Sequence, residues 1–533
     1  MLVDFDTASE TPKIDADICI VGAGAAGITL ALELIPTGKK ILLLEGGGIL
    51  LKEASQSLYQ MELAGQRYES TTRSRMRLLG GSTNHWDGSV RTLDPIDFES
   101  RSWVPDSGWP FSYQDLLPYY DRAFPYVEAG QRYQDESLLT GRLGKLNAKI
   151  DAAGFVPRVG YHSPPTLFGV RYIEQLRSAP NVTVMVNANL LTINEASNRS
   201  SVESLTIANY RQVKATVNAR FYVIALGGIE NARALLLSDA VTTGGIGNEY
   251  DAVGRYFMDH PVIKALVFYP NEEFIAAWKD GLVSDASGMR ALSFQASDKL
   301  LRQHQLTNAR MPLEARPRIE TSAGIESAHQ IEKGIARGIA LPHVLSHLWN
   351  IMSEEDVILE QWRRKHGAEP APTGTSRADE YGGYVVEMMM EQRPDRDNRI
   401  VLTDARDALG LRKGKLFWRL PQQERDDFKR LVDLFAKGFG AQGLGMVRSS
   451  LEEDDTGRRF DELLNFGSHH MGSTRASIDP KKGVVDGSQR IHGRSNIYVA
   501  GSSIFPTAGN VPPTTTIVAT TIRLADHLRT RLA

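Results

Sequence analysis

An α/β fold is predicted by one pattern that the chain uses three times: an apolar strand, a glycine-rich turn or loop, then a helix. It occurs at Asp17–Ile35, at Arg220–Leu237 and at Arg494–Arg531, so distant segments are expected to return to one sheet. A second observation is the acid that tips the second strand, Ile41-Leu-Leu-Leu-Glu45.

The first copy is the fullest. The strand Asp17–Val21 runs into Gly22-Ala-Gly-Ala-Ala-Gly27 and the helix Ala25–Ile35. Gly22 allows the sharp turn, Gly24 lets backbone N–H groups approach a pyrophosphate, and Gly27 lets helix and strand pack closely. The helix start at Ala25 adds partial positive charge where phosphate would sit. Glu45 follows Gly27 by 18 residues, within reach of ribose hydroxyls. A lone GxGxxG is weak evidence, but with both strands and the helix in place it predicts a dinucleotide site.

The 533 residues are enough for two or more domains. With 61 basic and 64 acidic residues and a formal net charge of −3, there is no electrostatic case for nucleic acid or an anionic membrane. No apolar run is long enough to span a bilayer. The amino terminus lacks a basic, hydrophobic signal pattern, and the single cysteine, Cys19, is expected to be apolar filler in a strand. A cytoplasmic protein is the expectation.

After Glu45 come the glycines Gly46–Gly48 and a polar, partly helical passage to Thr72. The loop Arg73–Gly88 is dense in small residues and backbone donors, suited to lie against a planar ring. Asp106–Pro110 reads as a turn and a helix begins near Tyr113. Val182–Val186 and Leu190–Ile193 read as strands, with a polar turn at Ala196–Ser201. From Pro261 to Glu380 periodicity is weak apart from one amphipathic helix over Leu345–Arg364. Within it, Ala309–Arg318 has arginines suited to an anion but is expected to be a solvated loop. His343 and His347 stand four apart, without a following Glu or a cysteine cluster, and no metal site is expected. Tyr381–Met390 and Asn398–Leu402 read as strands, with Met388–Met390 as core, and Gln422–Gly440 as a helix. The run Glu452–Asp455 reads as a solvated loop. A strand from Arg494, the loop Phe505–Pro513 and a helix from Thr514 close the chain.

Several segments together resemble the glucose–methanol–choline (GMC) family of FAD-dependent oxidoreductases. They are Val21–Gly27 with Leu44–Gly46, Gly80-Gly-Ser-Thr-Asn-His-Trp86, Ala225-Leu-Gly-Gly-Ile-Glu-Asn-Ala-Arg233, Ser468-His-His-Met-Gly-Ser-Thr-Arg475, and Gly483–Asp486 with Asn496–Ser503. The resemblance is strongest to the pyranose oxidase and fructose or gluconate dehydrogenase side. It implies a Rossmann-type FAD-binding domain, discontinuous over 1–100, 175–260 and 465–533. A mostly antiparallel β substrate domain over 101–174 and 261–464 would lie above the flavin.

The resemblance also implies roles. Gly22, Gly24, Ala25, Gly27 and Glu45 would hold the ADP half of FAD, and Gly81, Ser82 and Asn84 would lie along the isoalloxazine. Gly227, Gly501 and Ser502 in the returning turns would also touch the cofactor. Thr514 and Thr515 at the last helix start would face the pyrimidine edge. His85 falls where pyranose oxidase joins its flavin covalently, though non-covalent FAD is the favoured arrangement here. Asp87 stands where a small residue is expected beside flavin N5, and either meets the flavin or caps its loop. His469, in His-x-x-Gly, would take the hydroxyl proton while hydride passes to flavin N5, with His470 behind it. Relatives usually carry Asn or His as the base's partner, but that slot holds Pro512, and Asn510 is the replacement favoured here. The implied reaction is oxidation of a secondary hydroxyl of a pyranose sugar or glycoside to the ketone. Its electron acceptor would be oxygen, a quinone or a partner protein. Oxidation of a polyol, sterol or natural-product hydroxyl, a non-redox flavin lyase, and a flavin-binding protein without turnover are the alternatives.

Overall fold

Ile18, Ile20 and Leu43 are fully buried because their strands are interior to a sheet whose two faces are both covered. In the computed structural model, residues 1–8, 13–129, 143–278, 282–285, 288–337, 343–369, 378, 380–451 and 458–533 are described, and Glu452–Asp455 lies outside the described residues. The sheet runs in the order Leu2–Asp4, Val182–Val186, Ile41–Leu44, Lys13–Val21, Lys214–Ile224, Val202–Ala208, Asn189–Glu195. Its first five strands are parallel, and Ile497–Val499 joins Lys214–Ile224 in the same direction. Thus the three strand–glycine repeats do meet in one sheet. Their turns emerge at its carboxyl edge, where open α/β sheets bind ligands.

A second, antiparallel sheet has the order Gly445–Ser449, Pro261–Pro270, Tyr381–Met390, Ala309–Pro317, Gly288–Ala296, Phe155–His162, Ser89–Val90. One face packs on the helix Gln422–Ala441, with Phe435 and Phe439 against Phe155, Phe268 and Phe294. The other face looks toward the first sheet. A separate three-stranded sheet has the order Arg399–Arg406, Arg412–Trp418, Glu62–Gly65. The mixed α/β fold with a mostly antiparallel second sheet is therefore as expected.

Two expectations need correction. Ala309–Arg318 is not a solvated loop: Ala309–Pro317 is an interior strand, with Ala309 and Met311 fully buried. Its alternation escapes the eye because the opposite face is also enclosed, so polar and apolar residues mix there. The amphipathic stretch Leu345–Arg364 is two helices, Val344–Ser353 and Glu355–Lys365, broken at Glu354. The Glu354 carboxylate accepts from Ser322 Oγ and Gly324 N, a tie that pins the break. The helix Tyr113–Ala123 packs on the final helix Thr514–Leu532. Tyr120 Oη meets Thr516 Oγ1 at 2.9 Å and Arg122 reaches Asp526 at 2.6 Å. No helix among the described residues is long and apolar enough to cross a membrane.

Candidate active site

Between the two sheets lies a cavity of about 1390 Å³. Backbone builds its first wall. Gly22, Gly24, Ala25, Glu45, Gly81, Ser82, His85, Gly227, Gly501, Ser502 and Thr514 all line it. Gly22 sits at φ +107°, where a Cβ would lie 2.4 Å from the Ala225 carbonyl oxygen, so only glycine fits. Gly24 and Gly227 present bare backbone: nothing lies within 4 Å of a Cβ at Gly227, and at Gly24 only the Gly81 Cα, at 4.0 Å. The helices starting at Ala25 and Thr514 open without a side-chain cap, leaving free N–H groups for an electron-rich ligand. Glu45 accepts from Ala23 N at 3.0 Å and Gly47 N at 2.7 Å. Burial pushes its carboxyl up, against Arg77 and these two donors.

Three expected cofactor residues stand behind this wall rather than on it. Gly27 is buried below the turn, where a Cβ would meet the Gly22 carbonyl oxygen at 1.8 Å. Asn84 turns its amide onto the Leu79 and Gly81 carbonyls and shapes the loop. Thr515 is fully buried, its Oγ1 without a partner among the described residues. Asp87 lines the cavity and its Oδ1 accepts from Ser89 N at 2.9 Å, so it caps its own loop.

Side chains build the second wall. His469 lines the cavity, and its Nδ1 is 2.8 Å from His260 Nδ1. One of these nitrogens must carry the proton. His260 Nε2 faces two acceptors, the carbonyls of Gly509 at 3.0 Å and Ala508 at 3.3 Å, so the His260 proton sits on Nε2. Burial holds His260 down at about 4, neutral, leaving its Nδ1 a bare acceptor. His469 Nδ1 is then the donor, and His469 Nε2 keeps a free lone pair. Burial, then the neighbouring His260, His470 and Arg310, hold His469 well below the usual imidazole range. Asp259 Oδ1 accepts from the backbone N–H of both His260 and His469, at 2.7 and 2.8 Å, while Tyr68 Oη donates to its Oδ2. One carboxylate thus fixes both histidine backbones.

Asn510 is not the partner of His469. It is fully buried, does not line the cavity, and donates from Nδ2 to Asn308 Oδ1 at 2.9 Å. The Pro512 side of the loop faces the cavity instead, because the bond to Asn308 pulls Asn510 the other way. Sequence reading missed His260. Its signal is an Asp-His pair, Asp259-His260, set between the apolar Tyr256–Met258 and the strand beginning at Pro261.

His470 also lines the cavity. Its ring packs near Phe257, its carbonyl accepts from Ser502 Oγ at 2.7 Å, and its buried Nε2 has no partner among the described residues. Glu69, Asp259 and His470 converge within 4.8 Å, but Ser468 and Tyr68 already donate to the two carboxylates. His347 Nδ1 meets Ser327 Oγ, away from the cavity.

Residues 394–521 match the family model described as GMC oxidoreductase. The chain is 23% identical to the 2-methyl-1,2-propanediol dehydrogenase of Mycolicibacterium austroafricanum, over 98% of this chain and 97% of that one. It is 22% identical to the fructose dehydrogenase large subunit of Gluconobacter japonicus, over 97% and 98%. Among solved structures, a formate oxidase variant of Aspergillus oryzae RIB40, studied for its effect on FAD modification, superposes with TM-score 0.57 at 15% identity, covering 98% of this chain and 99% of that one. The bare glycine turns, the uncapped helix starts and the orphaned His470 Nε2 suit FAD in the cavity. The chain carries a GMC oxidoreductase C-terminal domain over residues 394–521 and is an FAD-dependent oxidoreductase acting on CH–OH groups.

Proposed function

We propose that this enzyme oxidises a secondary hydroxyl of a pyranose sugar or glycoside to the ketone, with His469 as base. The observation that carries the mechanism is the hydrogen bond from His469, on the cavity wall, to the buried His260 behind it. It fixes the tautomer that leaves His469 Nε2 ready to accept the hydroxyl proton. The low proton affinity of His469 keeps that nitrogen free at neutral pH. Asp259 holds both histidine backbones, so the ring need not reorganise as the proton arrives.

Bound FAD supplies the two-electron acceptor that takes the hydride from the carbinol carbon. Gly22, Gly24, Glu45 and the helix start at Ala25 would hold its ADP half, and the Gly81, Gly227, Gly501 and Thr514 backbone would frame the ring system. His85 lines the cavity as an exposed side chain, a place open to a flavin edge with or without a bond. The two relatives are named for a diol and for fructose, which suits a small polyhydroxylated substrate.

The test is anaerobic bleaching of the flavin absorbance by a panel of sugars, glycosides and simple alcohols. Bleaching by a pyranose faster than by a simple alcohol of equal concentration is expected. Bleaching by none of them would overturn the proposal.

A further inference from the structure

Arg310 points its side chain from the central strand of the second sheet into the cavity, in register with Met389 on the neighbouring strand. It is 6% exposed. Its Nη1 donates to Ser89 Oγ at 3.3 Å, and its Nε is buried with no partner among the described residues. No carboxylate among the described residues forms an ion pair with it. Asp87 and Glu387 act on it only from longer range, and both are engaged elsewhere: Asp87 accepts from Ser89 N, and Glu387 pairs with Lys264 at 3.0 Å.

This sets Arg310 apart. Buried arginines elsewhere in the molecule pair with carboxylates, as Arg75 does with Glu230, Arg233 with Asp407 and Arg494 with Glu195. The other exception among the described residues, Arg475, lies outside the cavity against the Tyr256 ring and the Asp106 carbonyl. A guanidinium taken out of water without an anion is costly, and its planar fork is shaped for a carboxylate. Arg310 also shares the cavity with His469 closely enough for its charge to lower the imidazole's proton affinity.

We propose that Arg310 anchors a carboxylate carried by the substrate, so that the molecule oxidised is an acidic pyranose or glycoside of the uronic acid kind. This rests on the reading of His469 as the base in the same cavity. Arg310 grips the carboxylate, which is unchanged by the reaction. The hydroxyl proton on another carbon of the ring goes to His469 Nε2. The hydride on that carbon leaves to bound FAD, and the C–O bond becomes the ketone.

The experiment compares methyl α-glucopyranoside with methyl α-glucopyranosiduronate, which differ only in a hydroxymethyl or carboxylate on the same ring, in anaerobic flavin reduction by the holoenzyme. The uronide is expected to show kcat/KM at least about tenfold higher, and Arg310→Met to reduce that preference at least about tenfold, with Arg310→Lys between. In parallel, calorimetry measures binding of tetrahydropyran-2-carboxylate, which has no hydroxyl to oxidise, against tetrahydropyran-2-methanol. Tighter binding of the carboxylate, lost in Arg310→Met, supports the proposal even if neither glycoside bleaches the flavin, a result that would count against the oxidation reading alone. Equal binding of the two probes by the wild type would overturn the proposal, and needs no variant to fold. So would an Arg310→Met enzyme whose flavin potential shifts while its preference for the uronide stays intact.

Discussion

The two walls of the cavity are made in opposite ways. The cofactor wall is mostly main chain: glycines at 22, 24, 81, 227 and 501 and two uncapped helix starts. The second wall is side chains: His469 and Arg310 line it, and His260 stands behind His469, with Asp259 holding both histidine backbones. A main-chain wall presents donors that any dinucleotide can use, whereas a side-chain wall sets protonation and charge at particular atoms. In the proposed function the first wall gives binding and the second gives chemistry.

The largest effect should come from the second wall. His469→Ala is expected to slow flavin reduction by at least about a hundredfold, measured by stopped-flow absorbance, with the FAD still bound. Retention of FAD is the sharpening half of that test, since the cofactor wall is untouched. Gly27→Ala attacks the first wall instead. The added methyl would collide with the Gly22 carbonyl, and overpacking of this kind costs about 1–3 kcal/mol. The variant is expected to lose FAD about tenfold or more readily on dilution, and to recover much of its rate of flavin reduction when FAD is supplied in excess.

A smaller change is expected from His260→Phe, which removes the acceptor for His469 Nδ1–H: kcat falls about tenfold with KM little moved. The pH profile separates a positioning role from a merely structural one. A base is lost as it gains a proton, and His469 is held below the usual imidazole value near 6.5. In the wild type, kcat/KM should therefore stay flat from neutral pH down through 6.5 and fall only at more acid pH. His260→Phe should shift that acidic limb. The smallest effect belongs to Asn510→Ala. Because Asn510 bonds Asn308 behind the wall, kcat should change less than about threefold, while loss of a buried hydrogen bond lowers Tm by a few degrees. A loss comparable to that of His469→Ala would restore Asn510 as the base's partner and undo the contrast.

The same contrast explains what the sequence made readable. Glycine spacing is local, so Gly22–Glu45 announced the cofactor wall and its parallel sheet without help from the rest of the chain. His469 was readable because its neighbours Met471 and Gly472 complete a short motif. His260 and Arg310 were not. Nothing near His260 in sequence says that a histidine 209 positions later will meet its ring. Arg310 lies among other arginines that do face solvent, and burial of alternate residues on an enclosed strand leaves little amphipathic pattern. Pro512 marked a departure from the family pattern, and the ring that meets His469 comes from His260, just before the strand Pro261–Pro270, rather than from two residues upstream.

The Asn308–Asn510 bond has a mechanical consequence. Asn308 also donates to Asp97, and its backbone N–H to Glu391, while His260 holds the Ala508 and Gly509 carbonyls. The segment leading into the last helix is thereby bolted to the edge of the strand that carries Arg310. Hinge opening along this seam would strip several buried polar groups of their partners at once.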